Sequence, residues 1–76
     1  MPTIHIEKGY RFFFYSNDHL PKHIHVEKSE KTAKFLLIPI ELISSKKFSA
    51  SELREIRIIV QSNLELFQIK WNEYFN

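Results

Sequence analysis

The sequence has no cysteine, so disulfide bonds, a thiol nucleophile and a cysteine-ligated zinc site are excluded. It has one glycine and three prolines among 76 residues, which does not indicate a linker-rich or disordered chain. The longest apolar run, FLLIPIELI, is interrupted by Pro39 and Glu41 and is far shorter than the roughly 20 residues that a membrane span needs. We therefore expect a single domain over residues 1–76 and no membrane partner.

The chain also has little excess of basic over acidic residues. The formal net charge is +2, and Lys46-Lys47 is the only adjacent basic pair, which is not the pattern of a dedicated nucleic-acid-binding protein. The first residues, MPTIHIEKGYRFFF, lack the apolar core of a signal peptide, so we expect a cytoplasmic protein. A core this small supplies only roughly 3–5 kcal/mol of net stability, which favours a partner protein or a second copy of the chain.

The first two-thirds of the chain alternate apolar and polar residues, as strands do. TIHIE and YRFFFYS predict two strands that are joined by a tight turn at Gly9, and HIHVEK and TAKFLLI predict two more. Pro39 cannot donate to a ladder, so it ends the fourth strand or marks an edge before IELI. These segments predict an antiparallel sheet of four or five strands over about residues 3–43.

The last third has helical periodicity, over about residues 50–74. Ser49 and Glu52 fit a capping box, which places the helix start at Ala50. An unbroken helix would be about 37 Å long, longer than a domain of this size is wide, so we expect a bend or split near residues 62–63. The fold class is α+β, with the helical segment packed on one face of the sheet. The apolar stripe that packs there comprises Leu53, Ile56, Val60, Leu64, Phe67, Trp71 and Tyr74.

Three of the four histidines lie in the segment NDHLPKHIHVEK, beside Asp18. His23 and His25 fall on the same side of a strand, about 7 Å apart along it, so their imidazoles can converge on one ion. His19 and Asp18 could complete such a site, and imidazole with carboxylate suits Zn, Fe, Mn or Ni. The candidate metal ligands are therefore Asp18, His19, His23 and His25, and the candidate cofactor is a divalent transition metal.

Two other interpretations of the segment stay open. His23 and His25 could act without a metal as general acid and general base in phosphodiester cleavage, with Arg11 or Lys22 holding the phosphate. Alternatively, the histidines form the solvated face of an alternating strand, and Asp18 only shapes the loop before it. The aromatic run from Tyr10 to Tyr15 could stack on nucleic-acid bases, but core or dimer contacts are its commoner use.

The segments MPTI, YRFFFYSNDHLPKHIHVE and ELFQIKWNEY together resemble the small prokaryotic domain-of-unknown-function family four-one-six-zero. That family carries an Asp-His-x-Pro-Pro-His-x-His segment between two strands, and Lys22 stands here in place of its second proline. The matching positions are Asp18, His19, Pro21, His23 and His25.

The resemblance implies a small stand-alone protein that is paired with another small domain, in an arrangement like a toxin–antitoxin module. We therefore expect a partner-binding protein with a histidine-rich polar surface. The alternative is a nuclease-like phosphodiesterase that uses His23, His25 and Arg11.

Overall fold

The computed structural model describes residues 3–75, which form a five-stranded antiparallel sheet followed by two helices. Each strand pairs with the next one in the chain, so the spatial order of the strands is their order in the sequence. The α+β prediction is confirmed. The elements are β1 (Thr3–Glu7), β2 (Tyr10–Phe13), β3 (His23–Lys28), β4 (Lys31–Leu37), β5 (Ile40–Lys46), α1 (Ala50–Ser62) and α2 (Leu64–Phe75).

β2 is shorter than the predicted strand YRFFFYS, because the chain turns as soon as it has passed Phe14. The amide of Asp18 donates to the carbonyl of Tyr15 at 3.1 Å, and the amide of Tyr15 donates to the Asp18 carboxylate at 2.9 Å. Together these bonds close a turn over residues 15–18 and end the ladder at the pair Phe13–His25. β3 therefore extends beyond the end of β2, which leaves room beside His23.

The two faces of the sheet have different surroundings. One face presents Phe12, Val26 and Phe35 to the helices, and these side chains belong to one buried core with Phe67 and Trp71. Side chains that are paired across antiparallel strands share a face. The opposite face, which we call the open face, therefore carries a row of side chains in the register of four strands, namely Phe13, His25, Lys34 and Ser44.

The helical segment divides at Asn63, as the length of the apolar stripe predicted. The side-chain amide of Asn63 donates to the carbonyl of Ile59 at 2.8 Å, and a polar side chain that binds backbone in this way competes with a regular helix. The molecule is 34 Å long in its greatest dimension. A straight helix of about 37 Å would protrude from it, whereas two short helices both reach the core. Neither helix is long and apolar enough within residues 3–75 to cross a membrane.

The predicted capping box begins α1. The Ser49 hydroxyl accepts a hydrogen bond from the Glu52 amide at 3.2 Å, and the Glu52 carboxylate accepts one from the Ser49 amide at 2.9 Å. The same carboxylate lies 2.7 Å from Nζ of Lys31 on β4. The Lys31 ammonium and the Ser49 amide lower the pKa of Glu52 from 4.5 to about 2. This carboxylate thus joins α1 to the sheet as well as to its own cap.

We predict that Glu52→Gln lowers stability at neutral pH and that the deficit shrinks in acid. Because the pKa of Glu52 is depressed in the folded state, its stabilising effect is complete above pH 4.5 and is lost as the pH falls through about 2. Urea denaturation of the wild type and Glu52→Gln across this range measures the deficit. Glu41→Gln, at an exposed site on β5, is the charge-matched control. A deficit that does not change with pH would contradict the prediction.

Candidate functional site

The turn that ends β2 brings a carboxylate to the start of β3. Asp18 faces both histidines of that strand: Oδ1 is 3.2 Å from Nε2 of His23, and Oδ2 is 3.3 Å from Nε2 of His25. Their side chains are only 11%, 6% and 16% exposed, respectively. The structure thus brings Asp18, His23 and His25 together, and we call these three residues the Asp-His-His cluster. The interpretation of a solvated polar strand does not account for such burial.

Two aromatic rings contact the buried side chain of His23. Because β2 does not extend beside it, the indole of Trp71 from α2 reaches this position, with its ring centroid 5.1 Å from that of the imidazole. The His25 ring also lies 5.1 Å from it between centroids and is almost perpendicular to it. A residue that strand alternation assigned to solvent is thus buried by a helix that lies far along the chain.

The tautomer of His23 is set by its neighbour in the loop. Nδ1 lies 2.8 Å from the carbonyl oxygen of Pro21, and a carbonyl can only accept, so Nδ1 carries the hydrogen. In a neutral imidazole, Nε2 then presents a lone pair. That atom is buried without a hydrogen-bond partner, since its contact with Asp18 lies outside hydrogen-bond geometry. Within residues 3–75 no other buried side-chain nitrogen or oxygen lacks a partner.

His25 lies between aromatic rings. Phe13 stacks on it at 5.6 Å between centroids, and the edge of Tyr15 contacts it at 4.6 Å. Burial among these groups lowers the pKa of His25 from its ordinary value of 6.5, although the Asp18 carboxylate partly opposes the shift. The imidazole is therefore neutral at pH 7 and can act as a base or as a metal ligand.

Asp18 remains ionised in the same setting. Burial alone would raise its pKa, but the hydrogen bond from the Tyr15 amide and the adjacent histidines outweigh burial and hold the pKa below 3.8. The cluster thus combines one carboxylate with two imidazoles in a partly enclosed site. Such a set can position a proton, transfer one, or bind a cation.

The other predicted site residues are not part of this cluster. His19 is exposed and is not among the residues whose candidate ligand atoms lie within 4.8 Å of one another. Arg11 binds Glu27 at 2.9 Å and Thr3 at 2.8 Å, and its guanidinium lies over the Phe13 ring. Their metal-binding and phosphate-binding roles stay predictions.

Two neighbours of the cluster were not identified from the sequence. The apolar stripe assigns Trp71 to the core, with a partner surface as its less common use, and Lys34 is not among the candidate site residues. Lys34 pairs with His25 across the ladder and lines two depressions on the open face, of about 430 and 380 Å³. Its alternation within TAKFLLI places it on that face, but only the strand register places it beside His25.

The larger of the two depressions opens onto the cluster. Asp18, His19 and His23 are among the residues that line it, together with Lys34 and the apolar side chains of Leu36 and Ile43. The site thus combines the two imidazoles of the cluster, the ionised carboxylate of Asp18 and the nearby ammonium group of Lys34. These groups can bind a phosphate ester, a metal ion with its bound water, or a polar side chain of a partner protein.

Comparison with known proteins identifies one family. A search of curated proteins and a search of solved structures give no match. The family model described as Domain of unknown function (DUF4160) matches residues 9–72, which include the whole cluster and most of both helices. The chain belongs to the Domain of unknown function (DUF4160) family.

Proposed function

We propose that this chain is a small cytoplasmic component of a prokaryotic toxin–antitoxin-like module and that it binds its partner protein through β5 and the open face of the sheet. Membership of the family supports the proposal, because the resemblance implies a paired arrangement. The small core also supports it, since a domain with roughly 3–5 kcal/mol of core stability gains from a bound partner.

The exposed apolar side chains of β5 carry this proposal. β5 is the last strand of the sheet, and its outer edge pairs with no strand within residues 3–75. Ile43 is 50% exposed, and Leu42 next to it is also exposed. An unpaired edge with apolar side chains is a template for a strand of another chain, whose backbone would supply the missing hydrogen bonds. A second copy of this chain could use the same edge, which would give a homo-oligomer.

The test is complex formation with the protein encoded beside it. We expect the two co-expressed proteins to elute together in size-exclusion chromatography and Ile43→Lys to separate them, since the substitution introduces an ammonium group into the interface. Ile58→Lys is the matched control, because Ile58 is 61% exposed on α1, away from β5. A monomer that elutes alone in every case would refute the proposal.

A second candidate function is phosphodiester cleavage at the Asp-His-His cluster. The convergence of Asp18 on His23 and His25 favours it, and Lys34 lies beside His25 to attract a phosphate. Nucleic acid, most simply RNA, would then be the substrate. Purified protein is expected to cleave RNA, with the activity lost in His23→Ala and in His25→Ala.

A further inference from the structure

We propose that the Asp-His-His cluster binds one divalent transition-metal ion through a carboxylate oxygen of Asp18 and Nε2 of both His23 and His25. This goes beyond the partner-binding function, which needs no metal. It would also specify how the cluster could serve as a hydrolytic site, although metal binding can be measured without any substrate.

The spacing of the donor atoms is that of metal ligands. The Asp18 carboxylate lies 3.2 Å from Nε2 of His23 and 3.3 Å from Nε2 of His25, and the three candidate ligand atoms all lie within 4.8 Å of one another. With metal–ligand bonds of about 2.1 Å, neighbouring ligand atoms are about 3.4 Å apart around a tetrahedral ion and about 3.0 Å apart around an octahedral one. The two carboxylate–imidazole distances fall between these values.

The orientation of His23 is a second, independent observation. Its Nδ1 donates to the Pro21 carbonyl, and a metal-bound histidine commonly donates its other ring nitrogen in this way. Nε2 is buried and has no hydrogen-bond partner, and it faces an acceptor oxygen of Asp18. The lone pairs of Nε2 and of the carboxylate oxygen repel each other in a buried site. A cation between these two atoms would remove the repulsion, because it would be bound by both.

The ligand set indicates the class of metal. Two imidazoles and one carboxylate suit Zn²⁺, Co²⁺, Ni²⁺, Fe²⁺ or Mn²⁺, whereas Mg²⁺ and Ca²⁺ prefer oxygen ligands. Three protein ligands leave at least one coordination position open, as in catalytic rather than structural metal sites. The depression of about 430 Å³ that Asp18 and His23 line gives water or a substrate oxygen access to this position.

The chain contains its own reporter for such binding. Trp71 is the only tryptophan, and its ring centroid lies 5.1 Å from that of His23. A paramagnetic ion such as Co²⁺ or Ni²⁺ bound at Nε2 of His23 would quench its fluorescence. We therefore expect Ni²⁺, titrated into the metal-stripped, untagged full chain, to quench Trp71 emission to saturation at one ion per chain. Mg²⁺ is expected to leave the emission unchanged, and isothermal calorimetry gives the stoichiometry.

Variants identify the ligands. Loss of an outer partner of a metal ligand costs about 10–100-fold in affinity, so loss of a ligand itself should cost at least about 100-fold. We expect His23→Ala, His25→Ala and Asp18→Asn each to weaken Ni²⁺ binding by at least this factor. His19→Ala removes an exposed imidazole of the same segment and is expected to bind as the wild type does. Glu7→Gln alters a carboxylate 2.8 Å from His5 and controls for the change in net charge.

Two results would overturn the proposal. One is the absence of saturable quenching in the wild type up to about 1 mM Ni²⁺, a concentration that detects even weak sites. The other is a loss of binding in His19→Ala as large as that in His25→Ala, since the ion would then be held by a ligand set that includes His19 and not by the cluster alone. Circular dichroism checks that each variant is folded. Should His23→Ala unfold, the partly exposed His25 and the near-isosteric Asp18→Asn still test the site.

Discussion

Phe67→Ala is expected to unfold most of the protein at 25 °C. Phe67 is fully buried in α2, and its ring contacts Phe12 of β2 at 5.4 Å and His5 of β1 at 6.1 Å between centroids. It thus ties the second helix to the two N-terminal strands. Truncation of a buried phenylalanine costs about 3–5 kcal/mol, which equals the roughly 3–5 kcal/mol that a core of this size supplies.

Urea denaturation followed by far-UV circular dichroism measures this effect. Ile69→Ala is the matched control, because it truncates an exposed apolar side chain two residues further along the same helix and should change stability by less than about 0.5 kcal/mol. A Phe67→Ala variant with the denaturation midpoint of Ile69→Ala would contradict the prediction. Such a result would mean that the contacts of Phe67 with β1 and β2 do not contribute to the stability of the fold.

The strands and helices of this fold could be predicted because most of them depend on sequence patterns within the element itself. Alternation predicted the strands, Gly9 the first hairpin, and Ser49 with Glu52 the start of the helical segment. The division near Asn63 followed from length alone, since an unbroken helix would extend beyond the core. The signals for the strands, the hairpin and the helix start each lie within a few residues of the feature that they predict.

The enclosure of the site could not be predicted in the same way. Strand alternation assigned His23 to a polar face, but Trp71, 48 residues later in the chain, covers it. The position of Asp18 depends on the turn that ends β2, whereas the sequence YRFFFYS predicted a longer strand. Lys34 reaches His25 only through the register of β3 with β4. Such contacts join distant segments, and no spacing in a single sequence encodes them.

Single substitutions in the Asp-His-His cluster are expected to have large effects on RNA cleavage, because only a few side chains there can transfer a proton. Cleavage at a 2′-hydroxyl needs one group to take its proton while the oxygen attacks phosphorus. A second group must give a proton to the departing 5′-oxygen. The two rings lie 5.1 Å apart between centroids, close enough to serve one phosphate, and Asp18 contacts both. Each acid or base contributes about 10²–10⁴-fold to such a reaction.

His23→Ala and His25→Ala are therefore each expected to lower the cleavage rate of a short fluorogenic RNA by about 10²–10⁴-fold. His19→Ala is expected to retain the wild-type rate, because its imidazole is exposed and lies outside the cluster. Lys34→Ala is expected to raise KM more than it lowers kcat, since Lys34 would attract the phosphate without transferring a proton. A wild type without activity, or equal rates in both cluster variants and the wild type, would rule out this function.

The same assay separates the two mechanisms that the cluster allows. If the imidazoles act as acid and base, cleavage survives EDTA, and DNA of the same sequence stays intact because it lacks the attacking 2′-hydroxyl. If a bound ion activates water instead, EDTA abolishes cleavage, added Ni²⁺ or Zn²⁺ restores it, and DNA becomes a substrate as well. Asp18→Asn should then be as damaging as a histidine variant, since it removes a charged metal ligand. In the metal-free mechanism it should cost less, because the carboxylate only orients the two rings.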